Sequence, residues 1–503
     1  MKRDHTLQTQ SIARPCWWTL LTLIQFPIVS CRRHWRANLM TAGAAFALLV
    51  AAANGEAASL EPGPQMCVAR MNHYSLQMPD GRVALLGGHG TGFVSLDSMD
   101  LWSPTNNEFA CVGLPFVYDS GALVRMADGR YLMAGGAADL GVAPGYASAQ
   151  ILDPASATVT TTGTTMVRPR MMCAGTQLTG GKVLIVGGWY DQDSATYGEI
   201  FDPANNAFSA TGPLNTPRSM PWVYPTADGK AVVVGGMDAY GASLISSIEL
   251  YDPTANTFTN LAPSAITGET DWVYYNSEDS QDPGQSKTGD GRYVFMMSRT
   301  VNSQTEYALG LFDPATEQFS KLALTPAFWN GFGVWPPVVD AANNRVLLLV
   351  GANQNGGANL TFQVFQADLA TGQALSLSDW LSVTNYYPGS AGITLLRDGR
   401  LFVTGGASSL GYSYNFSPVQ NTFFLSGLTP PPVIQPVTQT NRIISLTWST
   451  VVAYLYQVQY STNLTSTNWF NLGNPITATN GTASTSDRSG ANPQRFYRVV
   501  ASP

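Results

Sequence analysis

One pattern returns along this 503-residue chain: Asp-Gly followed by Arg or Lys, then four apolar residues, then Gly-Gly. It reads DGRVALLGG (80–88), DGRYLMAGG (128–136), GGKVLIVGG (180–188), DGKAVVVGG (228–236) and DGRLFVTGG (398–406). Degenerate copies, DGRYVFMMS (290–298) and NNRVLLLVG (343–351), fill the gap. A second pattern follows each copy: DLWSPTNNEF (100–109), QILDPASATV (150–159), EIFDPANNAF (199–208), ELYDPTANTF (249–258), GLFDPATEQF (310–319), QADLATGQA (366–374) and YNFSPVQNTF (414–423). The starts of the first pattern lie 48 to 62 residues apart. A fixed period of this length is the mark of a repeat architecture in which no unit buries its core alone.

The local chemistry fits that reading. Asp-Gly between apolar runs is a hairpin turn, because glycine takes positive φ without a Cβ clash. The apolar run after it is continuous rather than alternating, as in a strand covered on both faces. Gly-Gly permits a bend or close backbone approach, and Asp-Pro followed by Asn or Thr marks a second turn. Each unit therefore predicts four antiparallel strands. Asp-Gly joins the first to the second, Gly-Gly the second to the third, and Asp-Pro the third to the fourth.

On these motifs residues 59–428 resemble the kelch-repeat β-propellers. The resemblance implies an all-β ring of seven blades, or six if one degraded copy is an excursion. After the ring, PPPVIQPVTQT predicts an extended linker over 429–441. IISLTWS, YLYQVQYSTN and FYRVVAS then resemble a small fibronectin type III-like or immunoglobulin-like sandwich over 442–503.

Composition narrows the function classes. Only 12% of residues are charged, about half the usual ~25%. With 11% aromatics this argues against disorder and coiled coils. A net charge of −7 argues against a nucleic-acid partner. Residues 1–58 read as a leader: Arg32, Arg33 and Arg36 precede the apolar run 41–53 and a small-residue cleavage region. Export to the periplasm, cell surface or medium follows, with lipoprotein anchoring at Cys31 as an alternative. No stable membrane span is expected once the leader is removed. Cys67, Cys111 and Cys173 remain. An exported context admits a Cys67–Cys111 bond, the odd count leaves at least one thiol over, and Cys173 reads as buried.

Strand order places the Asp-Gly and Asp-Pro turns on one face of the ring. The Gly-Gly loops and the inter-unit loops lie on the other, the face on which binding residues are expected. Candidates there are His89, Trp189, Tyr190, Asp191, Asp238, Tyr240 and Trp272. Arg70, Arg170 and Arg218 stand at equivalent positions just before the first strand. The arginines have a structural reading as ties between loop carbonyls, and the aromatics one as packing between units. Asp191 and Asp193 lack the further oxygen ligands of a calcium loop.

Export, a kelch ring and an appended sandwich are also similar to the galactose oxidase-like copper enzymes, whose copper is held by tyrosines and histidines. This chain has four histidines: His5 and His34 in the leader, His73 and His89 in the first unit. The copper ligands therefore have no match, and no cofactor or metal is expected. The favoured function is a non-catalytic module binding a protein or glycan through its loop face. The alternatives are a carbohydrate-active enzyme of galactose oxidase-like architecture and a structural or adhesive envelope protein.

Overall fold

The structure is a computed structural model that describes residues 58–137, 145–189, 192–240, 243–261, 273–274, 286–302, 304–328, 332–334, 337–353, 359–378, 381–384, 387–408, 417–428, 432, 434–435, 437–440, 443–450, 454–462, 468–488 and 495–502. The leader expected over 1–58 lies almost wholly outside them. Among the described residues no helix is long and apolar enough to cross a membrane.

The described residues up to 428 form seven antiparallel sheets, taken in chain order. Sheet one holds Tyr74–Gln77, Val83–Leu86, Ser98–Ser103 and Glu108–Gly113. Sheets two, three and four repeat this scheme from Ala122–Arg125, Ala174–Gln177 and Trp222–Pro225. The second strands, Val83–Leu86, Tyr131–Ala134, Val183–Val186 and Ala231–Val234, are buried at every residue. That is why their sequences do not alternate.

The burial comes from neighbours on both sides. Tyr74, Leu86 and Leu101 of sheet one share a core with Leu123, Met133 and Leu152 of sheet two. Equivalent clusters join two to three, three to four, four to five, five to six and six to seven. A last cluster joins sheet seven to sheet one through Leu85, Trp102, Phe402 and Phe424. Each fully buried Val, Leu or Ile contributes about 1.5–3 kcal/mol relative to exposure. The ring is thus held by apolar layers, and no sheet is complete without its neighbours.

Closure uses a strand that the repeat pattern does not announce. In sheet seven, Tyr387–Leu395 and Leu401–Ser408 are followed by Thr422–Ser426 in the third position. The fourth strand is Ser59–Pro62, from before the first unit, with Ser59 opposite Ser426 and Pro62 opposite Phe423. The second motif of the seventh unit, at 414–423, thus leads into the third strand, and the fourth comes from residue 59 onward. The 7–1 seam is also tied by polar bonds: His73 Nε2 to Thr404 Oγ1 at 2.9 Å, and Ser75 to Thr394.

Sheets five and six depart from the scheme where Gly-Gly is lost. There the second strand runs on, over Tyr293–Val301 and Arg345–Asn353. In sheet five it turns directly into Gln304–Asp313, and Arg299 pairs across with Glu306 at 2.6 Å.

Cys67 and Cys111 form a disulfide, and Cys173 is a buried free thiol that burial pushes up to about 11. Beyond the ring, Thr438–Thr440, Ile443–Ser449 and Thr482–Arg488 form one sheet. Leu455–Ser461 pairs with Phe470–Asn471, Ile476–Thr477 and Phe496–Ser502 in another. Leu446 and Trp448 from the first share a core with Tyr456, Val458, Tyr497 and Val499 from the second. Tyr454 reaches the turn of sheet seven, where a Cβ added to Gly399 would meet its Oη at 2.6 Å.

Candidate functional site

The face bearing the Gly-Gly loops is built by one device that recurs at sheets one, two, three and seven. Gly87, Gly135 and Gly405 hold positive φ (57°, 79° and 61°). A Cβ on Gly87 would stand 1.7 Å from Tyr118 O, and one on Gly405 would stand 2.3 Å from Arg70 O. This approach lets the second glycine donate its N–H to the next sheet. Gly88 bonds Tyr118 O at 2.8 Å, Gly136 bonds Arg170 O at 2.9 Å, Gly188 bonds Arg218 O at 3.0 Å, and Gly406 bonds Arg70 O at 3.0 Å. The Gly-Gly pair is therefore an inter-sheet latch as much as a bend.

The arginines complete the latch from the other side. Arg70, Arg170 and Arg218 have no exposed surface. Each donates Nη1 to the first-glycine carbonyl of its own sheet: Gly87 at 2.8 Å, Gly187 at 2.9 Å and Gly235 at 2.8 Å. Nη2 pairs with an acid on the third strand: Asp100 at 2.5 Å, Glu199 at 2.9 Å and Glu249 at 2.7 Å. The acid is held in turn by backbone N–H groups two residues before the arginine: Val68, Arg168 and Thr216. Burial pulls the Arg70 and Arg218 guanidinium groups below their usual range, and Asp100 and Glu249 oppose this. Of the two readings open to these arginines, the geometry carries the structural one. Their donors face carbonyls and carboxylates inside the ring, where an external anion has no access.

Sheet two solves the same problem without charge. Tyr118 occupies the arginine position and Gln150 the acid position. Gln150 exchanges two hydrogen bonds with the backbone of Phe116, at 3.3 and 3.2 Å. The sequence signal for these partners is the paired change within the chain itself, Arg with Asp or Glu in three units and Tyr with Gln in one.

His89 is also fully buried, so it is a core residue and not an exposed loop ligand. Its Nδ1 lies 3.0 Å from Asp119 Oδ2, which also accepts from Ser95 Oγ at 3.1 Å, while Asp119 Oδ1 accepts from Ser120. Of the described loop residues expected to bind, Tyr240 is the most exposed, at 60%. Asp238 caps that loop by accepting the Tyr240 N–H at 3.0 Å. Trp189 is half-buried, and Tyr190, Asp191 and Trp272 lie outside the described residues. The structure brings His89 to Asp119, a residue of the next inter-sheet loop, and keeps the three arginines apart in three separate sheets.

Among polar neighbours, this face also exposes large apolar side chains. Val94, Phe116, Tyr146, Val167, Tyr240 and Leu244 are exposed, and all six lie on Gly-Gly or inter-sheet loops of sheets one to four. They are most of the large apolar side chains exposed among the described residues, the others being Leu375 and three residues of the C-terminal sheets.

Residues 225–264 match the kelch motif. The fold is that of a kelch-repeat β-propeller. No curated protein matches the sequence. Among solved structures, the kelch propeller is similar to one titled as a novel fungal alcohol oxidase with catalytic diversity among the AA5 family, in complex with copper. That similarity has a TM-score of 0.50 at 16% identity and covers 88% of this chain and 92% of the other. It shows the shared fold.

Among the described residues the side chains do not assemble a copper site. Imidazole is the natural Cu(II) ligand. Here His73 and His89 are buried in sheet one and its loop, His73 Nε2 bonded to Thr404 and His89 Nδ1 to Asp119. Among the described residues no group of three or more His, Cys, Asp or Glu is placed to hold a metal ion.

Proposed function

We propose that this kelch propeller is an exported binding module that engages a protein or glycan through its Gly-Gly loop face. Its C-terminal sandwich, read as fibronectin type III-like, would serve as a spacer. The supporting observation is the one-sided distribution of Val94, Phe116, Tyr146, Val167, Tyr240 and Leu244. Exposed apolar and aromatic side chains gathered on one face mark interaction surfaces. Kelch propellers commonly bind proteins, which adds an argument by analogy.

The reading is tested by placing a photo-cross-linking residue in the full chain, expressed in its own cells. Sites Val167 and Tyr240 report on the loop face, and Thr254 on the opposite Asp-Pro turn. A defined adduct from the first two and none from Thr254 supports the proposal. Adducts from Thr254 alone, or from no site, contradict it.

A further inference from the structure

The opposite face carries a site of different chemistry. The first strands of neighbouring sheets lie side by side around the axis. In sheets two to four the residue ending the first strand faces the first residue of the second: Arg125 pairs with Tyr131, Gln177 with Val183 and Pro225 with Ala231; in sheet five Lys287, in an isolated bridge after the first strand Val273–Tyr274, faces Tyr293 at the same register. One register position thus places Arg125, Gln177, Pro225 and Lys287 at the same level in four consecutive sheets. They line a cavity of about 320 Å³ together with Thr176 and Tyr293, at the Asp-Gly turn end of the ring.

The charge in this cavity is one-sided. Among the described residues no carboxylate lines it. Arg125 and Lys287 are exposed, and neither is in an ion pair among the described residues. The aspartates of the neighbouring Asp-Gly turns do not neutralise them, because each of these turns contains its own cation. Asp128 pairs with Arg130 at 2.6 Å, Asp228 with Lys230 at 2.5 Å, and Asp290 with Arg292 at 2.8 Å. Two cations without acidic partners among the described residues, facing one cavity of an otherwise acidic protein (net −7), focus an attractive potential for anions. The volume lies at the small end of ligand pockets. Gln177 offers both a donor and an acceptor, and Thr176 a hydroxyl.

We infer that this axial mouth binds a small hydroxylated carboxylate of the size of a hexuronic acid. Its carboxylate sits between Arg125, whose planar fork suits two oxygens, and Lys287; its hydroxyls meet Gln177 and Thr176. The site lies on the face away from the apolar loops, so it stands or falls separately from the binding role proposed there.

Glucuronate is the probe, with glucose and inorganic sulfate as comparisons, titrated calorimetrically against the full chain. The expected result is saturable glucuronate binding that weakens with salt, with glucose silent and sulfate weaker. Arg125→Gln and Lys287→Gln should each raise the glucuronate Kd about tenfold, the loss of one charge-assisted contact. Arg82→Gln, at an equivalent turn outside the cavity, should leave it unchanged. Both cavity side chains are exposed, so an unshifted melting temperature verifies folding of the variants. The inference is overturned if glucuronate fails to bind at about 10 mM. It is equally overturned if glucose or sulfate matches glucuronate, or if neither cavity substitution changes its affinity.

Discussion

Arg170→Leu should be among the most damaging single changes in the propeller. Arg170 Nη1 donates to the carbonyls of Gly187, Ser194 and Tyr197 at 2.9–3.1 Å, and Nη2 to Glu199 at 2.9 Å. Glu199 also accepts the N–H groups of Val167 and Arg168, at 2.7 and 2.9 Å. Both side chains are wholly buried. Leucine leaves a charged carboxylate and three carbonyls without their partner. Removing one member of a buried pair costs about 3–5 kcal/mol. With a urea slope of about 3–4 kcal/mol/M for a chain of this size, the unfolding midpoint falls by about 1 M. The carboxylate, and not the lost volume, should dominate that cost. The double variant Arg170→Tyr, Glu199→Gln copies the neutral pair Tyr118 and Gln150 of sheet two, and should recover at least half of the loss. Urea unfolding followed by intrinsic fluorescence reads both. The reasoning is refuted if the single change costs less than about 1 kcal/mol, or if the double variant is no more stable than the single.

Three further outcomes follow from the same geometry. Burial, with Arg70 and His89 nearby, holds His73 well below the usual histidine range, so the folded state keeps it neutral where the unfolded chain takes a proton. Stability is then complete above about pH 6.5 and falls on acidification towards the folded pKa, by at most about 1.4 kcal/mol per pH unit. His73→Gln, which can still bond Thr404, should flatten that slope in thermal melts between pH 7 and 5; an unchanged slope would place the proton elsewhere. The turn aspartates do not compete in this range, because the side-chain bonds from Lys230 and Arg292 hold Asp228 and Asp290 down at about 2. Gly87→Ala puts a Cβ 1.7 Å from Tyr118 O at a φ of +57°, and should destabilise the ring by at least about 2 kcal/mol, whereas Gly129→Ala, also at positive φ but with no neighbour within 4 Å, should cost only the backbone strain of about 1 kcal/mol. Cys173, buried and pushed up to about 11, should resist iodoacetamide in the native protein at pH 8 and react on unfolding; rapid native labelling would contradict its burial.

Much of the ring was legible because its turns are chemically loud. Asp-Gly and Asp-Pro demand particular backbone angles, and the left-handed residues recur where the sequence places those turns, at Asn107, Ala157, Asn206, Asn256 and Glu317. Ser59–Pro62 was silent for the opposite reason. It is a largely exposed edge strand of four residues, with no burial to impose a pattern on its side chains. The equivalent positions of Arg70, Arg170 and Arg218 were visible, but their role was not. Their partners Asp100, Glu199 and Glu249 lie about 30 residues away inside otherwise apolar strands, and only pairing of the strands brings them together. His89 looked like a loop ligand because it follows Gly-Gly; the latch draws that segment inward and buries it. The axial cavity has no local motif, being assembled from the ends of strands about 50 residues apart in sequence.

The closure of the ring by its own N-terminal strand is tested most directly at Ser59 and Ser426. They are cross-strand partners with Oγ atoms 2.7 Å apart, yet stand 367 residues apart in sequence. In the variant Ser59→Cys, Ser426→Cys, oxidised and mapped by mass spectrometry after proteolysis, an intramolecular bond should link the two new cysteines, beside Cys67–Cys111. If the new cysteines stay reduced, or link only between molecules, Ser59–Pro62 does not complete sheet seven.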